Sequence, residues 1–342
     1  MVSLFLPHDV EGGTGMESKE FQVLLKQLAS LSSKQRRLLE KALISPDPRE
    51  KVREILEKKG AENPVTRCPH CGGEDLYRWG VRSGLQRYRC RACLKTSNAL
   101  TGSPLARLRY KEKWLLYAEA LKDGLSVRRA AKRCSVCPTT TFRWRHRFLK
   151  KIQEAKDTIF QGIVEADETV FLESCKGKRN LPHRPPRKRG GKASERGLSE
   201  EQIPVLIVRD RHGSTTDAVL PDRTKATLAP ILTLILKGDA LLCTDGALAY
   251  KAVAREYGIP HQPVNLRQKQ RVRQKVFHVQ NVNAYSSRLK EWMRRFHGVA
   301  TKYLPNYLGW RRMLEKDTSS SHDFPERCLR LAIHEFQPVK ET

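Results

Sequence analysis

Acidic residues are scarce in this chain of 342 residues: 37 Asp and Glu stand against 65 Lys and Arg, a formal charge of +28. So large a shortage points to a polyanionic partner. Long apolar runs are missing too. No stretch approaches the roughly 20 residues of a membrane span, and the opening MVSLFLPHDVEGG has neither the basic start nor the long apolar segment of a secretion signal. A membrane-binding helix would gather its positive charge on one face, whereas here the charge spreads over every segment. Nucleic acid is therefore the favoured partner, with no membrane role. Cysteine is present but ill-suited to disulfides: the nine are odd in number, the chain is long, and the closest pairs have metal-ligand spacing. The expected setting is a reducing one, the cytoplasm.

Length suggests two or three structural units. Residues 1–62 form a helical lead-in over about 17–58, with Phe21, Leu24, Leu25, Leu28, Leu38, Leu39 and Leu43 at helical spacing. Residues 63–103 are Cys-, Gly- and aromatic-rich, and 104–158 read as helical, from about 110. From Ile163 the pattern changes to strands (GIVEADETVFL, IPVLIVRDR, TTDAVL, ALLCTD) and helices near 225–237 and 247–256, which predicts an α/β layer domain over 159–320. Residues 321–342 are expected to be a tail. A basic loop, 176–200, carries nine Lys or Arg and three Pro, Lys188 and Arg189 among them. A second run, Arg267, Lys269, Arg271, Arg273 and Lys275, alternates at period two, so that an extended chain sets all five on one side to track phosphates.

Cys68-Pro-His-Cys71 and Cys90-Arg-Ala-Cys93 enclose 18 residues. That spacing fits two knuckles giving four thiolates to one zinc ion. Four protein ligands leave no position for a reacting water, so this zinc is structural, and so short a segment needs it to fold. His70 is a bystander among four cysteines. Tyr77, Trp79 and Tyr88 either form the ribbon's small core or stack on bases, the core being the more ordinary use. Cys134-Ser-Val-Cys137 has the same spacing but no partner pair and sits at a helical turn, with Cys137 as N-cap and Pro138 at the first helical position. Cys175, Cys243 and Cys328 read as packing residues.

LSVRRAAKRCSVCPTTTFRWRHRFLKK has the shape of a helix-turn-helix. Ser126 is the expected N-cap, Ala130 and Ala131 permit close approach, Ser135-Val136 makes the turn, and Phe142, Arg145 and Leu149 share a side of the second helix. Thr139, Thr140, Arg143 and Arg147 would then be placed to meet a DNA groove. An ordinary basic helical hairpin is the plainer alternative.

Two acids stand out by position. Asp167 lies inside an apolar strand, and Asp245 directly follows ALLCT before a helix; acids so embedded are costly unless paired or metal-bound. Glu165 shares the face of Asp167 by strand alternation and is its better rival, whereas Glu168 points the other way. For Asp245 a strand-to-helix N-cap is the competing use. Asp210 and Asp217 read as turn formers.

Taken in order, CPHC…CRAC, the basic helical pair, VEADET, KGKR…PPRKRGGK, CTDGALAY and VNAYSSRLKEWMRRFHGVATKYLPNYLGW resemble bacterial zinc-ribbon insertion-sequence transposases, the insertion sequence fifteen-ninety-five family, over nearly the whole chain. The resemblance implies a ribonuclease H-like catalytic core with an Asp-Asp-Glu or Asp-Asp-Asn triad on magnesium or manganese. Asp167 matches the first acid and Asp245 the second. Asn283 takes the third position, where many relatives have Glu, and Lys290 matches an accompanying lysine. Asn coordinates through a neutral carbonyl and leaves the site one negative charge poorer. Asn281 and Glu291 compete for that role, and Lys290, two helical turns from Asn283, could meet a phosphate or be an ordinary solvated lysine. The expected protein is multidomain: helical lead-in, zinc ribbon and helix-turn-helix, then an α/β ribonuclease H-like domain. It would bind the inverted-repeat ends of an insertion sequence as double-stranded DNA, cut and join them as a homodimer or larger assembly, and work in the cytoplasm at the nucleoid. A non-catalytic DNA-binding regulator and a nuclease that cuts without joining are the rival readings.

Overall fold

The computed structural model describes residues 18–36, 39, 47–62, 65–178, 180–181, 185–187, 190–194, 199–264, 272–317 and 324–334. Lys188, Arg189, Arg267, Lys269 and Arg271 lie outside them, as do Leu38 and Leu43. The chain divides after Lys51. The part before it contains α1 (Ser18–Ala29), whose Phe21 and Leu25 are exposed. α2 (Pro48–Glu62) runs past the division, and its Val52, Ile55 and Leu56 belong to the larger hydrophobic core.

The ribbon is a three-stranded antiparallel sheet of β1 (Leu76–Arg82), β2 (Leu85–Cys90) and β3 (Thr96–Ser97). Its aromatics do not form a closed core. Trp79 is exposed, Arg89 lies 4.6 Å over its ring, and Arg91 lies 5.0 Å over Tyr77. The strands are too few to bury both faces of so small a sheet, and the guanidinium groups cover what remains.

The helical stretch is broken into α3 (Trp114–Lys122), α4 (Val127–Cys134) and α5 (Pro138–Ile152). Ser126 caps α4 by accepting the Arg129 amide, Ser135 closes it in the left-handed conformation (φ 49°), and Pro138 opens α5 after Cys137. Along α5 the ordering is Thr141, Trp144, Arg145, Phe148, Leu149 and Ile152 inward. Phe142 does not join Arg145 and Leu149 there: it is exposed, with its ring edge-on to His146. Arg145 is 1% exposed, its charge shared between the Leu125 carbonyl, the Tyr307 hydroxyl and the ring of Trp310 4.9 Å away.

The second sheet contains β4 (Ile163–Leu172), β5 (Gln202–Asp210), β6 (Thr215–Val219), β7 (Leu241–Thr244) and β8 (His261–Pro263). Its spatial order is β6-β5-β4-β7-β8, with β4, β5 and β6 antiparallel and β4, β7 and β8 parallel. The two parallel steps have helical crossovers, α6 (Lys225–Ile235) and α7 (Leu248–Tyr257). These cover one face, packing on Val164, Ala166, Leu206, Val208 and Leu242. Val205, Ile207 and Cys243 face the opposite way, into the larger core with α8 (Gln280–Arg294) and α9 (Leu304–Lys316). The expected mixed α/β layer is therefore present.

Three expectations need correction. Asp217 is not a turn former: it is buried and paired with buried Arg312 of α9, whose guanidinium also donates to the Gln153 and Ala155 carbonyls. Asp210 does fill that role, accepting the amides of His212 and Ser214. Within its described part the alternating run does not stay extended, because Gln274 and Lys275 both have positive φ and turn the chain between the bridged residues Arg273 and Phe277. The segment expected as a tail contains α10 (Phe324–Ile333), whose Phe324, Cys328, Leu329 and Ala332 are fully buried in the core shared with α3 and α5. The front helices are completed from the far end of the chain. α9 presses equally close, since a Cβ on Gly309 would stand 2.5 Å from Gln153 Cα.

Candidate metal centres and nucleic-acid interface

One group of sulfur ligands is present among the described residues, and two acids, Asp167 and Asp245, follow the paired stretch of neighbouring strands. In the ribbon the Sγ atoms of Cys68, Cys71, Cys90 and Cys93 all lie within 4.8 Å of one another, and they alone form such a group of His, Cys, Asp or Glu among the described residues. Cys68 and Cys93 are 3.5 Å apart, and Cys71 and Cys90 3.7 Å. Zn–S bonds of about 2.3 Å put tetrahedral sulfurs roughly 3.8 Å apart, so the cage fits zinc without rearrangement. Burial opposes ionisation of Cys68, but the His70 and Cys71 amides and the Cys93 thiol outweigh it and bring the thiol down to about 6. His70 stays outside the cage. Cys134 is buried in the core while Cys137 is exposed at the start of α5, so this pair makes no ion site.

The oxygen cluster is assembled by the sheet. β4 and β7 pair in parallel over Ile163↔Leu241, Val164↔Leu242 and Glu165↔Cys243. Two residues beyond the last pair stand Asp167, still within β4, and Asp245, just past the end of β7. Asp167 accepts the Glu168 amide at 2.9 Å, and Asp245 accepts the Ala247 amide at 3.0 Å across the turn at Gly246, φ 80°. The N-cap use weighed for Asp245 does not hold: the N-cap of the following helix is Ala247, without a side-chain acceptor, and Asp245 closes only the turn ahead of it. Burial pushes the Asp167 carboxyl up to about 7, with the negative charges of Glu168 and Asp245 adding to it against Arg223. Burial also raises Glu168, where Asp245 works in the same direction against the Tyr250 hydroxyl and Arg223. Crowded carboxylates of this kind are hard-oxygen donors with unrelieved charge, a setting that fits magnesium or manganese.

Glu165 shares the Asp167 face but has other work. Fully buried, it accepts the Val282 amide at 3.0 Å and the Asn281 side-chain amide at 3.1 Å, with Arg211 3.2 Å and His278 3.4 Å away. The N-cap residue of α8, Val279, offers no side-chain acceptor, so Glu165 supplies one from β4 to the positive end of the helix. This clamp was missed in the sequence, where nothing local links position 165 to position 282. It engages Asn281 and brings the first turn of α8, with Asn283, to the strand that carries Asp167. Asn283 and Lys290 are exposed, and no hydrogen bond joins either to Asp167 or Asp245 among the described residues. Glu291 is exposed farther along α8.

At the front, Thr139, Arg143 and Arg147 are exposed on α5 and Thr140 is half-buried. Arg147 donates to the Pro104 carbonyl at 3.2 Å, which ties its guanidinium to the segment before α3. Arg273 donates to the Pro263 carbonyl at 3.5 Å.

Residues 159–311, from just before β4 into α9, match the family model of the ISXO2-like transposase domain. An uncharacterized protein in transposable element ISH50 of Halobacterium salinarum is 27% identical over 246 residues, covering 70% of this chain and 82% of that protein. The matches support the family without its bacterial restriction. Two solved structures also overlap. A pre-cleavage Mos1 transpososome has a TM-score of 0.20 at 12% identity, covering 64% of this chain and 79% of the other. A Mos1 transposase paired-end complex with left transposon end has 0.23 at 13%, covering 96% and 83%. Both scores are too low to bear on fold or function. No helix among the described residues is long and apolar enough to cross a membrane.

Proposed function

We propose that this transposase binds the inverted-repeat ends of an insertion sequence and performs metal-dependent DNA strand cleavage and strand transfer at Asp167, Asp245 and Asn283. The observation that supports it best is the placement of Asp167 in β4 beside Asp245 at the end of the parallel strand β7, with negative charge that Arg223 only partly offsets. The strand order, three antiparallel strands continued by two parallel ones, is that of a ribonuclease H-like core. Divalent magnesium or manganese, when bound, would polarise the scissile phosphate and the attacking oxygen. Asp167 and Asp245 would hold it with full charges and Asn283 with a neutral carbonyl, while Glu165 keeps α8 in reach. Lys290 extends from the same helix toward DNA phosphates. End recognition falls to Thr139, Thr140, Arg143 and Arg147 on α5, with Lys188, Arg189, Arg271 and Arg273 as backbone contacts. Zinc in the ribbon keeps that module folded. Handling two ends at once calls for a homodimer or larger assembly, acting on the nucleoid in the cytoplasm.

Zinc-loaded protein, candidate end DNA and Mg2+ or Mn2+ test this directly. Nicks at the ends and joined products are expected, both lost in Asp167→Ala while end binding persists. Cleavage by Asp167→Ala at the parent's rate overturns the site. End binding with no cleavage by the parent favours a DNA-binding regulator.

A further inference from the structure

The β4–β7 ladder stops at Glu165↔Cys243, two residues short of both aspartates, so no backbone pairing holds Asp167 beside Asp245. The next link past that point is made by side chains. Glu168, directly after Asp167, accepts a 2.5 Å hydrogen bond from the hydroxyl of Tyr250, which stands five residues after Asp245 on α7. Tyr250 is wholly buried in the core beneath the sheet, packed with Val164, Leu242 and Val253, which leaves its hydroxyl a fixed donor. Glu168 points to the α7 face of β4 and Asp167 to the α8 face. A third carboxylate is thereby anchored under the acid pair, in the same molecule whose third triad position is a neutral asparagine.

We propose that Glu168 supplies the third negative charge of the Asp167–Asp245 metal site, making good the charge that Asn283 lacks, and that the Tyr250 hydroxyl is the positioning group that holds it there. The inference rests on the metal-site reading above. Glu168 acts from behind Asp167, through the field at the site, and Tyr250 acts through Glu168. A charge so placed raises cation affinity without occupying a coordination position, as hydrogen-bonded outer groups do at other metal sites.

The test is Mn2+ binding to the zinc-loaded full-length chain without DNA. Glu168→Gln keeps an acceptor for Tyr250 and removes only the charge; it should weaken Mn2+ binding about tenfold, the lower end of what loss of an outer partner costs. Glu168→Asp keeps the charge and should bind several-fold better than Glu168→Gln. Tyr250→Phe should weaken binding less than Glu168→Gln does. The decisive variant is Glu168→Gln with Asn283→Glu, which restores the total charge and should return affinity to within about threefold of the parent. Parent-like binding by Glu168→Gln, equal losses in Glu168→Gln and Glu168→Asp, or no recovery on adding Asn283→Glu each overturns the proposal. Asp245→Asn separates the two failures. If it binds Mn2+ like the parent, the metal site itself is misassigned; if it loses binding while Glu168→Gln does not, only the role of Glu168 falls.

Discussion

The four-cysteine cage and the acids around Asp167 differ in what each could offer a cation. Four sulfurs from two knuckles would close a shell on all sides of a zinc ion, and a ribbon so small would depend on that ion for its fold. The carboxylates are drawn from a strand interior and a strand end and carry repulsion that Arg223 only partly offsets. A closed shell stabilises the protein; an open, charge-crowded one is made for a substrate to complete. The ribbon's aromatics, partly exposed beneath arginines, leave little apolar burial to hold that small module together.

If the oxygen cluster is the reactive one, its charged members must matter most. Asp245→Ala should abolish cleavage and joining, at least about a thousandfold, because one of two full charges on the metal is gone. Asn283→Ala should lose most activity but less than this, and Asn283→Glu should retain some. Rate measurements on pre-nicked and intact end DNA check the order. Asn283→Ala cleaving like the parent would move the third ligand elsewhere.

The sulfur cluster should instead fail structurally. Cys90→Ser is expected to drop bound zinc from about one ion per chain to well below it and to unfold the ribbon, since metal binding and folding are one equilibrium there. Metal analysis with far-UV spectra decides it. Full zinc retention would show that three thiolates suffice.

A third test probes the join between the sheet and the helices before it. Arg312→Met strands buried Asp217 and removes two carbonyl contacts between α9 and the end of α5. Breaking a buried pair on one side costs about 3–5 kcal/mol, which thermal melting reads as a large drop. A change under about 1 kcal/mol would mean that the pair roughly balances its own desolvation.

What could be read from the sequence follows how local each signal is. The four cysteines were legible because ligand spacing is a property of adjacent residues, and α4 and α5 because Ser126 and Pro138 mark their starts. Asp167 and Asp245 were legible as acids in apolar strands, but their adjacency depends on the β4–β7 pairing across more than seventy residues. Glu165 capping α8, Asp217 meeting Arg312, and Glu168 reaching Tyr250 were not legible at all. Each joins segments that only the folded sheet brings together, and alternation along β4 gives the face a side chain takes but not its partner. α10 was missed for a related reason: its apolar stripe is short, lies near the chain end, and finds its partners in α3 and α5.

The smallest effect concerns protons. Asp167 has its carboxyl pushed from the usual 3.8 up to about 7, first by burial and then by Glu168 and Asp245. In the metal-free protein a raised carboxyl contributes stability that is complete below 3.8 and lost as pH rises through about 7, because the folded state keeps a proton that the unfolded chain releases. A divalent cation reverses the preference, since it binds the ionised form and expels that proton. Mn2+ affinity of the zinc-loaded chain should therefore rise by up to about tenfold per pH unit below 7 and level off above it. Asp167→Asn should bind more weakly at every pH and lose most of that slope. The ribbon supplies the internal control, since its thiolates are already committed to zinc and should not follow the same profile near neutrality. Calorimetric titrations from about pH 5.5 to 8 in two buffers of different ionisation heat count the proton directly. Affinity that is flat across this range, with no proton released, would mean that Asp167 is ionised without the metal and that Arg223 offsets the crowding more fully than the geometry of the cluster implies.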